Sequence, residues 1–344
     1  MNEKRRFIFA IALMLVLILT PARVEITMAH AVTPLAKPEK SFEEHSIINR
    51  VDFTVTAAAM QDALETDVKA YGTPEHLGWI ELLAYLGQKY VGDFKSYNRK
   101  DLEEIVEKCK DRNISDAVEN KHLYEYYLRV YGAVLSGMVG EHVRERYNSN
   151  GEVITSDNQY GLMACYPVAA GYYCSDFDDF GAERTYGYKR RHLGHDMVGD
   201  IGTPIIAVEG GYVEALGWNN YGGWRVGIRS FDNQRYYYYA HLKSGHPYNN
   251  LYEGKTVSAG EVIGYLGRSG YSTVVNTDNI CTPHLHIGLQ LIFSPEQKDG
   301  EDQIWVDFYQ IAKLLSENKA DTYRCDESGD MKSAFRIFPV GFND

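Results

Sequence analysis

Glycine divides this chain in two. Residues 1–150 hold 7 glycines and residues 161–290 hold 20. Glycine weakens helices and supplies the positive-φ backbone that tight turns need. The first part can therefore run as helices, while the second must turn often. At 344 residues the chain suits two domains and a leader better than one ordinary domain. An apolar content of 44% builds a sizeable core and excludes a disordered chain.

Charge narrows the partners. The formal net charge is −12, and a uniform polyanion repels phosphate, so no nucleic acid is expected as a partner. Lys4, Arg5 and Arg6 precede an apolar run over residues 7–19, closed by Thr20 and Pro21. That run is shorter than the roughly 20 residues that span a bilayer. Residues 1–31 read as a secretory signal ending at Ala29-His30-Ala31, with Thr20-Pro21-Ala22 as a competing cleavage site. The alternative is an uncleaved N-terminal membrane anchor. Either way the rest of the chain is exported. Five cysteines follow, at 109, 165, 174, 281 and 325. An odd number cannot all pair internally, although Cys165 and Cys174 are near enough in sequence to bridge. The sequence carries no signal for oligomeric state.

Residues 32–44, with Pro34 and Pro38, read as a linker. Residues 45–148 read as a helical bundle. Its segments run over 52–70, over 77–90 with Trp79, Leu82, Leu83 and Leu86 on one face, from 98 onward, and over 121–146. Glu81 beside Trp79 invites comparison with a buried general acid. With no second carboxylate in view, it reads instead as a solvated helix residue. Residues 149–160 read as a second linker. From 161 to 320 short apolar runs alternate with Gly, Asn and Pro, the pattern of an antiparallel all-β domain. Residues 304–317 read as its closing helix, and 321–344 as a tail. The fold class expected is α+β.

Five of the eleven histidines stand in informative settings. These are His192-Leu193-Gly194-His195-Asp196, Tyr239-Ala240-His241-Leu242 and His284-Leu285-His286. Residues two apart on a strand share a face, so His284 and His286 point the same way. His192 and Asp196 also share parity but need a bend to reach one ion, which Gly194 permits. His192, Asp196 and His286 would give three ligands and leave one open position, as in catalytic zinc sites. By parity His195 points away. In the row Tyr236–Tyr239, Tyr237 and Tyr239 share the face of His241, while Tyr236 and Tyr238 face away and pack.

Over about residues 187–291 the sequence resembles the lysostaphin-like (LytM-type) zinc endopeptidases. The likeness rests on His192-x-Gly194-x-Asp196, Gly202-Thr203-Pro204, Ala207-Val208-x-x-Gly211-x-Val213 and Asn220-Tyr221-Gly222-Gly223. It continues through Tyr239-Ala240-His241-Leu242, Val257-x-x-Gly260-x-x-Ile263-Gly264-x-x-Gly267 and His284-Leu285-His286. The resemblance implies that His192, Asp196 and His286 bind Zn2+ and that His241 and His284 handle the water and the oxyanion. It also implies that the partner is a peptidoglycan peptide. The alternative is a catalytically silent wall-binding or assembly module of the same fold. Three departures stand out: the long segment 271–283, Ile287-Gly288 where an aromatic-acidic pair often follows, and His195 at a usually apolar position.

Overall fold

The structure, a computed structural model, describes residues 48–185, 189–298 and 302–342. The leader 1–31 and the linker 32–44 lie outside the described residues.

Helices form where the sequence caps them. Thr56 Oγ1 accepts from Ala59 N and opens Ala57–Ala70. Glu81 reaches back to accept from Gly78 N and opens Trp79–Tyr90, so its carboxylate is spent as a cap. Asn98 caps Arg99–Lys108, and Asn120 caps Lys121–Leu135. Leu82, Leu83, Leu86, Tyr127, Tyr131, Val134 and Leu135 are buried. These helices and the sheets, over the described residues, belong to one compact unit. Among the described residues six α-helices accompany a mostly-β fold, and no helix there is long and apolar enough to cross a membrane.

Among the described residues the main sheet has nine strands. His284–Leu291 lies at its centre. Its first half pairs with His195–Gly199 and its second half with Gln303–Val306, while Arg235–Ala240 runs along its other edge. Gly223–Ser230 and Gly211–Asn219 continue the sheet beyond Arg235–Ala240, and Cys174–Asp176 adds an edge strand on His195–Gly199. The sheet is not purely antiparallel. Ile48–Val51 pairs in parallel with Gln303–Val306, a partner about 250 residues away that local patterning cannot reveal.

Other segments depart from the sequence reading. Residues 149–160 are not a linker through their length, because Val153–Leu162 is a strand paired with Val139–Tyr147. Asn148 Oδ1 accepts from Asn150 N and Glu152 N, and Gly151 sits at φ +81°, so the polar stretch is a hairpin turn. The helix expected to reach 146 ends at Leu135. The closing helix is a strand, Gln303–Val306, and a shorter helix, Tyr309–Leu315. In the tail, Phe335–Pro339 pairs with Val139–Tyr147 and packs its Phe335 and Ile337 against Cys165, Ile206 and Val262. All five cysteines are free. Cys165 is buried near Asn318, and Cys174 lies 3.4 Å from the Tyr166 hydroxyl.

Candidate metal centre and active site

Strand register places the chemistry. Asp196, His286 and Ala240 stand directly opposite one another on three adjacent strands, so the Asp196 and His286 side chains share a face. His192 precedes the strand His195–Gly199 and folds back over the same face. Three donor atoms meet there. His192 Nε2 lies 2.9 Å from His286 Nδ1 and 3.0 Å from Asp196 Oδ1, and His286 Nδ1 lies 3.0 Å from that same oxygen. Gly194 serves this approach through space rather than through φ. A Cβ there would stand 2.6 Å from His286 Cε1 and 2.5 Å from the Ile287 carbonyl oxygen.

This triangle fits an ion. Two imidazole nitrogens and one carboxylate oxygen are a zinc donor set, and a tetrahedral centre with bonds of about 2.0–2.1 Å holds its ligands about 3.4 Å apart. The three edges fall just inside that spacing, so small displacements would admit a cation. Among the described residues, His192, Asp196 and His286 are the group arranged to hold a metal.

Around the triangle the charges are set by partners. Burial opposes a charge on His192, but Asp179 and Asp196 outweigh it and hold its pKa up to about 9. Burial likewise works against a charged Asp196, yet His192 and His286 keep its carboxyl far below the usual range. His286 is pushed down by burial, with Asp196 opposing.

His241 and His284 stand beside this group. Their ring centroids are 4.8 Å apart, and His241 lies 5.9 Å from His286. His284 Nε2 is 3.7 Å from Asp196 Oδ1. Backbone oxygens fix both rings: Nδ1 of His241 lies 2.9 Å from Ser269 O, and Nδ1 of His284 lies 2.8 Å from Thr282 O. With Nδ1–H donating, Nε2 is left to exchange a proton. Burial first, then His284 and His286, push the His241 pKa well down, so the ring is neutral.

The tyrosine row is the reverse of the parity reading. Tyr237 and Tyr239 are fully buried. Tyr237 donates to Glu209, and Tyr239 accepts from Val208 N. Tyr238 instead faces the site, edge-on to His286 at 5.9 Å, its hydroxyl held by Asn219 Nδ2. The cause is His241, which sits at φ +63° just after the strand ends at Ala240. That left-handed residue swings its side chain out of strand alternation and onto the site face. His195 does point away: it is buried, 2.9 Å from Asp176 Oδ2 and edge-on to Tyr309.

Departures elsewhere acquire local reasons. Gly288 makes room for Trp305, whose ring a Cβ would meet at 2.5 Å. The segment 271–283 is tied down: Asn276 Oδ1 accepts from Trp224 Nε1 and Gly245 N, and Asp278 accepts from Ser244. It brings Tyr271 within 5.9 Å of His241. Sequence reasoning missed Asp179, in the loop after Cys174–Asp176, and Arg184, on the short strand Glu183–Arg184; neither segment is long enough to show a period. The run Asp176-Phe177-Asp178-Asp179 ahead of His192 was the one available signal.

Residues 190–298 match the family described as Peptidase family M23. The L-Ala–D-Glu endopeptidase of Bacillus subtilis is 33% identical over 167 residues, which are 48% of this chain and 47% of that protein. The peptidoglycan DD-endopeptidase ShyC of Vibrio cholerae is 26% identical over 155 residues, 45% of this chain and 32% of that one. This chain thus spans less than half the length of either relative. Among solved structures, the catalytic domain of the antimicrobial peptidase lysostaphin from Staphylococcus simulans is 29% identical, with a TM-score of 0.31, covering 41% of this chain and 92% of that one.

Proposed function

Residues 190–298 form a peptidase M23 domain, and on that premise we propose that the chain is a zinc metalloendopeptidase hydrolysing peptide bonds in peptidoglycan. The observation that carries the reading is the donor triangle of 2.9, 3.0 and 3.0 Å edges made by His192, His286 and Asp196. The substrate class draws on the two relatives, one named for L-Ala–D-Glu cleavage and the other for peptidoglycan. The basic cluster and apolar run of the leader support export to the cell wall.

When bound, zinc lowers the pKa of a water to about 7 and polarises the scissile carbonyl. His192, Asp196 and His286 are the residues that would hold it. His241 and His284 divide the proton work. Each presents Nε2 with Nδ1–H committed to a backbone oxygen, so a neutral ring accepts a proton at Nε2 from the attacking water, and the other ring, in its protonated form, donates from Nε2 to the tetrahedral oxyanion. Tyr271 stands beside His241 and Tyr238 beside His286, and both are positioned to contact an extended peptide.

The test is digestion of purified sacculi by the zinc-loaded protein, with released peptides identified by mass spectrometry. His284→Ala should keep one zinc per chain and lose about 10²–10⁴-fold in rate. Undiminished digestion by that variant would sink the mechanism. Binding to sacculi without cleavage by the zinc-loaded wild type would favour a silent wall-binding module.

A further inference from the structure

Asp179 and Arg184 precede the residues 190–298 that match the family, yet both reach the ligand atoms. Asp179 is almost wholly buried. Its Oδ2 and its carbonyl oxygen each lie 3.1 Å from His192 Nδ1, and its Oδ1 accepts from Asp196 N at 3.3 Å. Arg184 donates through one guanidinium nitrogen to Asp179 Oδ2 at 2.7 Å and to Asp196 Oδ2 at 3.1 Å. That second oxygen is the one Asp196 does not turn toward the donor triangle.

We propose that Asp179 and Arg184 are positioning residues of the metal centre, supplied from outside the family's matched segment. This inference rests on the zinc reading above. Asp179 takes the hydrogen of His192 Nδ1 and so fixes the tautomer whose Nε2 carries the free lone pair. A ligand imidazole held this way is oriented before the ion arrives and is made more basic. Arg184 occupies Asp196 Oδ2, so Oδ1 alone is offered and the carboxylate stays monodentate. With both oxygens free, the carboxylate could take two positions and crowd the one that water and substrate need. Arg184 also neutralises Asp179, a buried charge whose other donors, the His192 ring and Asp196 N, are neutral once His192 is a ligand. One arginine thus couples both sides of the centre.

A merely structural role, pinning the segment before His192 to the sheet, makes a different prediction. The experiment is zinc affinity of the full chain by chelator competition, alongside the cobalt-substituted absorption spectrum and the melting temperature of the metal-free protein. Asp179→Ala and Arg184→Ala should each weaken zinc binding by about 10–100-fold. Arg184→Ala should also move the cobalt spectrum from four-coordinate toward five-coordinate character. Asp179→Asn keeps an acceptor for His192 but loses the charge, so it should fall between wild type and Asp179→Ala. If Arg184→Ala does not fold, Arg184→Gln carries the same expectation. Lowered melting temperature with unchanged zinc affinity and an unchanged cobalt spectrum would overturn the inference and leave the zinc reading intact. A wild type that fails to bind zinc would overturn both.

Discussion

Asp67 and Asp196 are both largely buried carboxylates facing histidine, and they are surrounded in opposite ways. Asp67 is fully buried and every neighbour brings it a hydrogen. Oδ1 takes His76 Nε2 at 2.6 Å and the Tyr160 hydroxyl at 2.9 Å, and Oδ2 takes Trp79 N at 2.8 Å. Those donors come from the loop after the helix Ala57–Ala70, the start of the helix Trp79–Tyr90 and the strand Val153–Leu162, so one anion knots three elements together. Tyr71 stacks on Tyr160 at 3.6 Å beside it. Asp196 Oδ1 instead meets two ring nitrogens that are 2.9 Å from each other. Three atoms able to accept converge there, and His192 Nδ1 already faces Asp179. A single proton on His192 Nε2 serves part of the triangle, whereas a cation serves all of it. A ligand set is recognised by this shortage of hydrogens, and a structural carboxylate by their sufficiency.

The largest effect that tests this contrast is Asp196→Ala. It should weaken zinc binding by on the order of 10³-fold or more and remove hydrolysis with it, because three protein ligands are the minimum for a catalytic site. The metal-free fold should lose little, under about 2 kcal/mol, since His192 keeps Asp179. Chelator competition and urea unfolding of the metal-free protein measure the two halves. Asp67→Ala should do the reverse. It leaves the buried Trp79 N–H and two half-buried donors, His76 and Tyr160, without their acceptor and should cost about 2–3 kcal/mol of stability, read by urea unfolding, with zinc affinity unchanged. Equal loss of zinc in both variants would erase the distinction.

The sequence made the site more legible than the fold around it. His192, Asp196, His284 and His286 stand out because spacing and parity are local facts, and His241 stands out through the resemblance to the lysostaphin-like endopeptidases. Parity failed where the backbone left the strand: His241 at φ +63° put Tyr238, not Tyr237 or Tyr239, on the site face. On sequence grounds Gly194 permits a bend, whereas in the structure its reason is the His286 ring lying against it. Asp179 and Arg184 were invisible because a loop and a two-residue strand have no period to read. Residues 149–160 looked like a linker because a hairpin turn and a linker share composition, and only the pairing partner separates them. The parallel strand Ile48–Val51 was hidden for the same reason, its partner Gln303–Val306 being far along the chain.

Asp307 lies between the two extremes and gives the smallest and most graded test. It follows the strand Gln303–Val306, and a single backbone donor, Tyr309 N at 2.9 Å, meets its Oδ1. Burial raises its pKa to about 6, Asp178 and Asp52 add to the rise, and Tyr309 N–H and His195 oppose it. An unfolded aspartate titrates near 3.9. Between about pH 4 and pH 6 the unfolded chain therefore gives up this proton before the folded one, so raising pH destabilises the fold, and the penalty levels off above pH 6. Two units correspond to under about 3 kcal/mol, and partial exposure reduces that to about 1–2 kcal/mol. Asp307→Asn keeps an acceptor for Tyr309 N and removes the charge. It should be more stable than wild type by about 1–2 kcal/mol at pH 7 and equal to it near pH 4, as read from urea unfolding of the metal-free protein at both values. A carboxylate with one donor should thus gain from losing its charge, where Asp67 with three would lose. If Asp307→Asn were no more stable at pH 7, the number of donors would not be what sets the cost of a buried carboxylate here.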